Sequence, residues 1–137
     1  MTVPMLDESA PDAEDFVVCW LQPLLRTAVE RDTEELPYAG VQVVVDASDP
    51  DAGTDDLVVQ VDILDRGVAA AKATANKVNR RMELLFRECS DVVMSDGRTA
   101  NPDFGRTLRK PVREPYADEQ IVRYVARYAL GLSYVTV

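Results

Sequence analysis

Residues 65–89, DRGVAAAKATANKVNRRMELLFREC, carry Val68, Ala71, Ala75, Val78, Met82, Leu85 and Cys89 at alternating steps of three and four. On a helix with 3.6 residues per turn these positions fall in one apolar stripe. Lys72, Asn76, Asn79, Arg80, Glu83 and Arg87 fall on the other side. Asp65 is predicted to cap the start, where its carboxylate accepts from an orphan amide at the positive end of the helix dipole. The chain must therefore supply a surface on which one long, dry face can pack, while the opposite, cationic face stays wet.

That surface is predicted from the strands. Val41, Val43 and Val45 alternate with Gln42, Val44 and Asp46, and Leu57, Val59, Val61 and Ile63 alternate with Val58, Gln60, Asp62 and Leu64. Both runs have the period-2 pattern of half-buried strands and are expected to pair as an antiparallel hairpin. Residues 121–135 give the clearest strand, with Tyr124, Ala126, Tyr128, Leu130, Leu132 and Tyr134 on the inward face. An N-terminal helix is expected from a Ser9 cap, with Pro11 and Asp12 in its first turn and a kink or restart at Pro23. Residues 91–94 can form a short strand, with a turn at 95–97. The stretch NPDFGRTLRKPVREP, dense in Pro, Gly and Arg, predicts an exposed loop at about 98–118. The expected architecture is α+β, in the order α-β-β-α-β-β: a small mixed sheet packed on helices, one domain over 11–137 after a flexible arm at 1–10.

Charge is unevenly distributed. Residues 1–65 hold sixteen Asp and Glu against two Arg, a net of −14, whereas residues 66–137 hold thirteen Lys and Arg against eight acids, a net of +5. Two readings stay open: opposite charges sharing one solvated surface, or acidic surface on one subunit meeting basic surface on the next. The second reading assigns Arg80, Arg81, Arg87, Arg106, Arg109, Lys110 and Arg113 to one side of a subunit interface. Asp49, Asp51, Asp55 and Asp56 of the acidic loop at 46–56 form the other side.

Recognisable active-site chemistry is missing from the sequence. It has no histidine, its six glycines are scattered rather than gathered into a phosphate loop, and Cys19 and Cys89 lack metal-site spacing. Both cysteines sit on predicted apolar stripes and are expected as small buried hydrophobes. The loop at 46–56 offers Asp49, Asp51 and Asp55 near Gly53, but it lacks calcium-loop offsets: counted from Asp49, the twelfth position is Gln60. A solvated hairpin loop is the expectation, with no metal, no cofactor and no catalytic residue. The acidic N-terminus resembles neither a signal nor a transit peptide, and no apolar run spans a membrane, so assembly in a cytoplasm is expected. A sequence pI near 4.4 argues against non-specific nucleic-acid binding by the isolated chain.

The order of elements resembles a known family. The acidic entry into DAEDFVVCWLQPLLR, the two valine-rich strands, VDILDRGVAAAKATANKVNRRMELL and the closing REPYADEQIVRYVARYALGLSYV are together similar to the tail terminators of long-tailed (siphovirus-type) phages that infect actinobacteria. The similarity runs over about residues 11–135. It implies a structural virion protein at the neck, a homo-oligomer built as a hexameric ring. Such a ring caps the head-proximal end of the tail tube, stops tube polymerisation and joins the tail to the head. Its partners would be itself, the major tail tube protein and a head-tail connector or stopper, with DNA only as cargo through a channel and no membrane. The resemblance does not extend to the two cysteines or the 46–56 loop. The alternatives are another head-tail connector (an adaptor or stopper), or a small nucleic-acid-binding domain if Tyr124 and Tyr128 face solvent.

Overall fold

A computed structural model describes residues 10–31, 33–46 and 57–135. Its elements run α1 (Ala13–Leu21), β1 (Arg26–Ala28), β2 (Tyr38–Asp46), β3 (Leu57–Arg66), α2 (Val68–Glu88), β4 (Val92–Val93), β5 (Thr99–Glu114) and β6 (Ile121–Tyr134). The class is α+β, richer in strand than expected: β1 and β5 are additions to the order α-β-β-α-β-β. The strands make one sheet in the order β1-β2-β3-β6-β5-β4. Among the described residues only β1 and β2 pair in parallel; every other pair there is antiparallel. The sheet curls, so that α1 touches β1 and β2 near one end of the order and β4 at the other.

The predicted stripe of α2 makes the centre of the core. Ala71, Ala75, Val78, Met82 and Leu85 are buried against Val59, Val61, Ile63, Tyr124, Ala126, Tyr128 and Leu130 from the alternating faces of β3 and β6. Register explains why these residues share a face: Val59 pairs with Tyr128, Val61 with Ala126 and Ile63 with Tyr124. Burial of each larger side chain contributes about 1.5–3 kcal/mol. Phe16, Val17 and Leu21 of α1 complete this layer at 0% exposure.

Several local expectations are corrected. Asp65 does not cap α2, because β3 is still paired with β6 through Asp65–Val122 and Arg66–Ile121. The helix begins only after Gly67, whose φ of 79° turns the chain, and the Asp65 carboxylate instead accepts from Thr74 Oγ1 at 2.8 Å. The predicted stripe also frays at both ends: Val68 is exposed, and Cys89 takes the left-handed C-cap conformation (φ 48°) that turns it to solvent. The cap of α1 is Asp12, which accepts from the amides of Glu14 and Asp15; Ser9 lies outside the described residues, as does all of the expected arm at 1–10 except Ala10. Pro23 starts no second helical piece, since the helix stops at Leu21 and Gln22 is its C-cap.

The largest correction concerns the loop expected at about 98–118. Residues 99–114 form β5, paired with β6 along nearly its whole length. Prolines are tolerated here because the ladder is irregular between Pro102 and Phe104, between Thr107 and Arg109, and between Arg109 and Val112. Residues 115–120 remain a connection without strand.

Candidate assembly interface

The helices are tied to the sheet by a few directed contacts. In the first turn of α1, Glu14 Oε2 accepts from the Val43 amide at 2.9 Å, at the start of the irregularity between Val43 and Val45 in β2. The next residue, Asp15, accepts from the Ser95 amide at 3.0 Å, in the turn after β4. Two adjacent acids thus bolt α1 across both sides of the curl. At the far end of α1, Trp20 and Arg81 bind each other reciprocally: indole Nε1 donates to the Arg81 carbonyl at 2.9 Å, and Arg81 Nε donates to the Trp20 carbonyl at 2.6 Å. The guanidinium lies 3.9 Å from the indole ring centre, a cation–π contact.

This clasp gives one of the candidate interface cations a partner within the chain: the Arg81 guanidinium is held against Trp20, and partial burial lowers its pKa. The sequence reading counted it among the interface cations of α2; its hold on Trp20, on another helix, is a contact that spacing cannot show. Arg80 and Arg87 are exposed on α2 and make no ion pair among the described residues.

The β5 residues fall on a different surface. Arg106 pairs with Ala129 and Arg109 with Arg127, so both point to the sheet face opposite the helices, whereas Arg113, opposite Tyr124, points to the helix side. The seven predicted cations are therefore divided by the sheet rather than gathered in one patch. On the outer face several charges are satisfied within the chain. Arg109 is paired with Glu114 at 2.7 Å, and Arg123 with Asp62 at 2.9 Å; Gln60 donates to Asp62 at 2.8 Å and accepts from Arg127 at 3.2 Å. Arg106, Lys110 and Arg113 remain exposed, with no ion pair among the described residues. Asp49, Asp51, Asp55 and Asp56 lie outside the described residues.

Sequence reasoning missed the apolar component of this surface. Phe104, Leu108 and Val112 are 43%, 45% and 42% exposed on β5, beside the unpaired cations. Phe104 lies over Gly131, where a Cβ would come within 2.5 Å of its ring. The spacing of four between these residues was the available signal, but the surrounding prolines masked it as loop composition. Beyond Ala100, the outer edge of β5 meets no other described strand, since β4 covers only Thr99 and Ala100.

Tyr124 and Tyr128 belong to the helix-facing side, 9% and 0% exposed, and the Tyr128 hydroxyl donates to Asn79 Oδ1 at 2.9 Å. They cannot stack on bases. Cys19 is half-buried with Sγ 4.0 Å from Asp15 Oδ2, and burial, then Asp15, pushes its thiol pKa up, away from a reactive thiolate. Among the described residues, no helix is long and apolar enough to cross a membrane, and no group of three or more His, Cys, Asp or Glu side chains is placed to hold a metal ion.

No family model and no curated protein matches the chain. Its fold is similar to that of a chain in a solved structure described as the virion of a native gene transfer agent (GTA) particle. The two chains are 18% identical, with a TM-score of 0.52, over 88% of this chain and 86% of that one. At this identity the likeness is one of fold.

Proposed function

We propose that this chain is a structural subunit of a virion, and specifically a tail terminator. It forms a ring at the neck that caps the head-proximal end of the tail tube, stops tube growth and joins the tail to the head. The observation that carries the reading is the fold shared, along nearly the full length of both chains, with a component of a virion particle. The exposed apolar and basic surface on β5 supports an assembling subunit, because a chain that acts alone gains nothing from leaving Phe104, Leu108 and Val112 in water. The role is architectural and uses no catalytic group, metal or cofactor. DNA passes as cargo.

The test is light scattering and negative-stain imaging of the purified chain, alone and mixed with tail tube protein. Rings, or rings seated at tube ends, are expected. Binding to the portal side instead of the tube end would reassign the chain as an adaptor or stopper. A monomer that ignores tubes at every salt concentration would end the virion-ring reading.

A further inference from the structure

The two margins of the sheet are unlike each other. At the β1 margin Leu24 and Val29 are exposed, at 38% and 49%, among acids: Glu30 is exposed, and the Glu34 and Glu35 side chains are 100% and 71% exposed. Among the described residues of this stretch, Glu30, Glu34 and Glu35 stand against Arg26 and Arg31, a net of −1, with Glu35 3.2 Å from Arg26 and Glu34 3.6 Å from Arg31. At the β5 margin Phe104, Leu108 and Val112 are exposed beside Arg106 and Lys110, which make no ion pair among the described residues, while Arg109 is held by Glu114. Each margin thus exposes apolar side chains, and the charges beside them that have no ion pair among the described residues are of opposite sign, Glu30 at the β1 margin and Arg106 and Lys110 at the β5 margin.

We propose that the β1 margin of one copy docks on the β5 margin of the next. Leu24 and Val29 pack on Leu108 and Val112, and Glu30 and Glu34 face Arg106 and Lys110. This rests on the ring reading above and names the contact that builds the ring. The occupant is a second copy of this chain because the chain itself holds the complementary surface. Like charges oppose β1 on β1 and β5 on β5, which disfavours a two-fold dimer and selects head-to-tail repetition, the arrangement that closes into rings. The contact is made by side chains rather than by strand addition. Three irregularities, two prolines and Lys110 leave β5 without a continuous row of edge donors and acceptors for a neighbouring strand.

The experiment uses two variants of the full chain, each checked for fold by circular dichroism. Arg106→Glu with Lys110→Glu makes both margins acidic; Glu30→Lys with Glu34→Lys makes both basic. Ring formation is followed by light scattering as a function of concentration, with and without tail tube protein. Each variant alone should need at least about tenfold more protein to form rings. A 1:1 mixture should recover wild-type assembly, because acidic and basic copies then alternate. Variants that form rings as readily as the wild type would overturn the margin contact and leave the terminator reading intact. A mixture that fails to recover assembly would also overturn the contact. A wild-type chain that forms no ring with or without tubes would overturn both.

Discussion

On the helix side of the sheet Phe16, Met82 and Leu85 are sealed from water, whereas on β5 Phe104, Leu108 and Val112 are two-fifths exposed although they are of similar size and hydrophobicity. Both sets sit on hydrogen-bonded elements, although the β5 ladder is irregular at three places. What separates them is cover: α1 and α2 lie over one face, and no described element lies over the other margin. The first set holds the subunit together. The second contributes little until something packs on it, and its place beside unpaired cations fits a surface meant for a partner.

Truncation of a sealed residue tests this contrast most severely. Met82→Ala should cost about 2–5 kcal/mol in denaturant unfolding, while Leu108→Ala should stay within about 0.5 kcal/mol in the isolated chain. Equal losses would show that β5 is covered in solution. The two close-packed glycines sharpen the point. A methyl on Gly105 would sit 2.1 Å from the Phe86 ring, whose centre lies 5.9 Å from that of Tyr128 in a tilted contact that any retreat would disturb. Gly105→Ala should therefore cost about 1–3 kcal/mol. At Gly131 the obstructing ring is that of exposed Phe104, free to swing away, so Gly131→Ala should cost less in the same unfolding assay.

Arg81→Met removes the donor to Trp20 and the cation–π contact, and should lower stability by about 1–2 kcal/mol. Arg80→Met, one residue away on the exposed side, should change stability by less than about 0.5 kcal/mol but weaken assembly if α2 also takes part in it. A further effect is one of pH. Burial raises the Tyr128 pKa above its ordinary 10.0, with Glu83 adding to the shift. The folded chain therefore keeps that proton where the unfolded chain loses it. The associated stability is fully present below pH 10 and declines as pH rises beyond it. Tyr128→Phe should lower stability at neutral pH by about 1 kcal/mol through the lost bond to Asn79, and should flatten the alkaline decline by up to about 1.4 kcal/mol per pH unit.

The parts of the fold that could be read from the sequence are those with an uninterrupted period. Ala71, Ala75, Val78, Met82 and Leu85 announce α2, and the alternations in β2, β3 and β6 announce the faces that pack beneath it. β5 was hidden because each irregularity shifts the inside-outside alternation by one residue, so no period survives across Pro102, Leu108 and Pro111. β1 has only three residues, too short for any pattern. The basic residues of the candidate surface were visible as composition, but their division between two faces depends on register. The hold of Arg81 on Trp20 joins residues sixty-one apart in the chain.

Trp20 is the only tryptophan in the chain, and it lies under a guanidinium at the junction of the two helices. Its emission is therefore an unlabelled optical gauge of one joint. Separation of α1 from α2 changes the indole environment at once, while events at the β5 margin leave it untouched. Docking at the β5 margin would then proceed with steady tryptophan fluorescence, and a spectral shift during assembly would point to the helix junction or to the β1 margin, where Leu24 follows Trp20 by four residues.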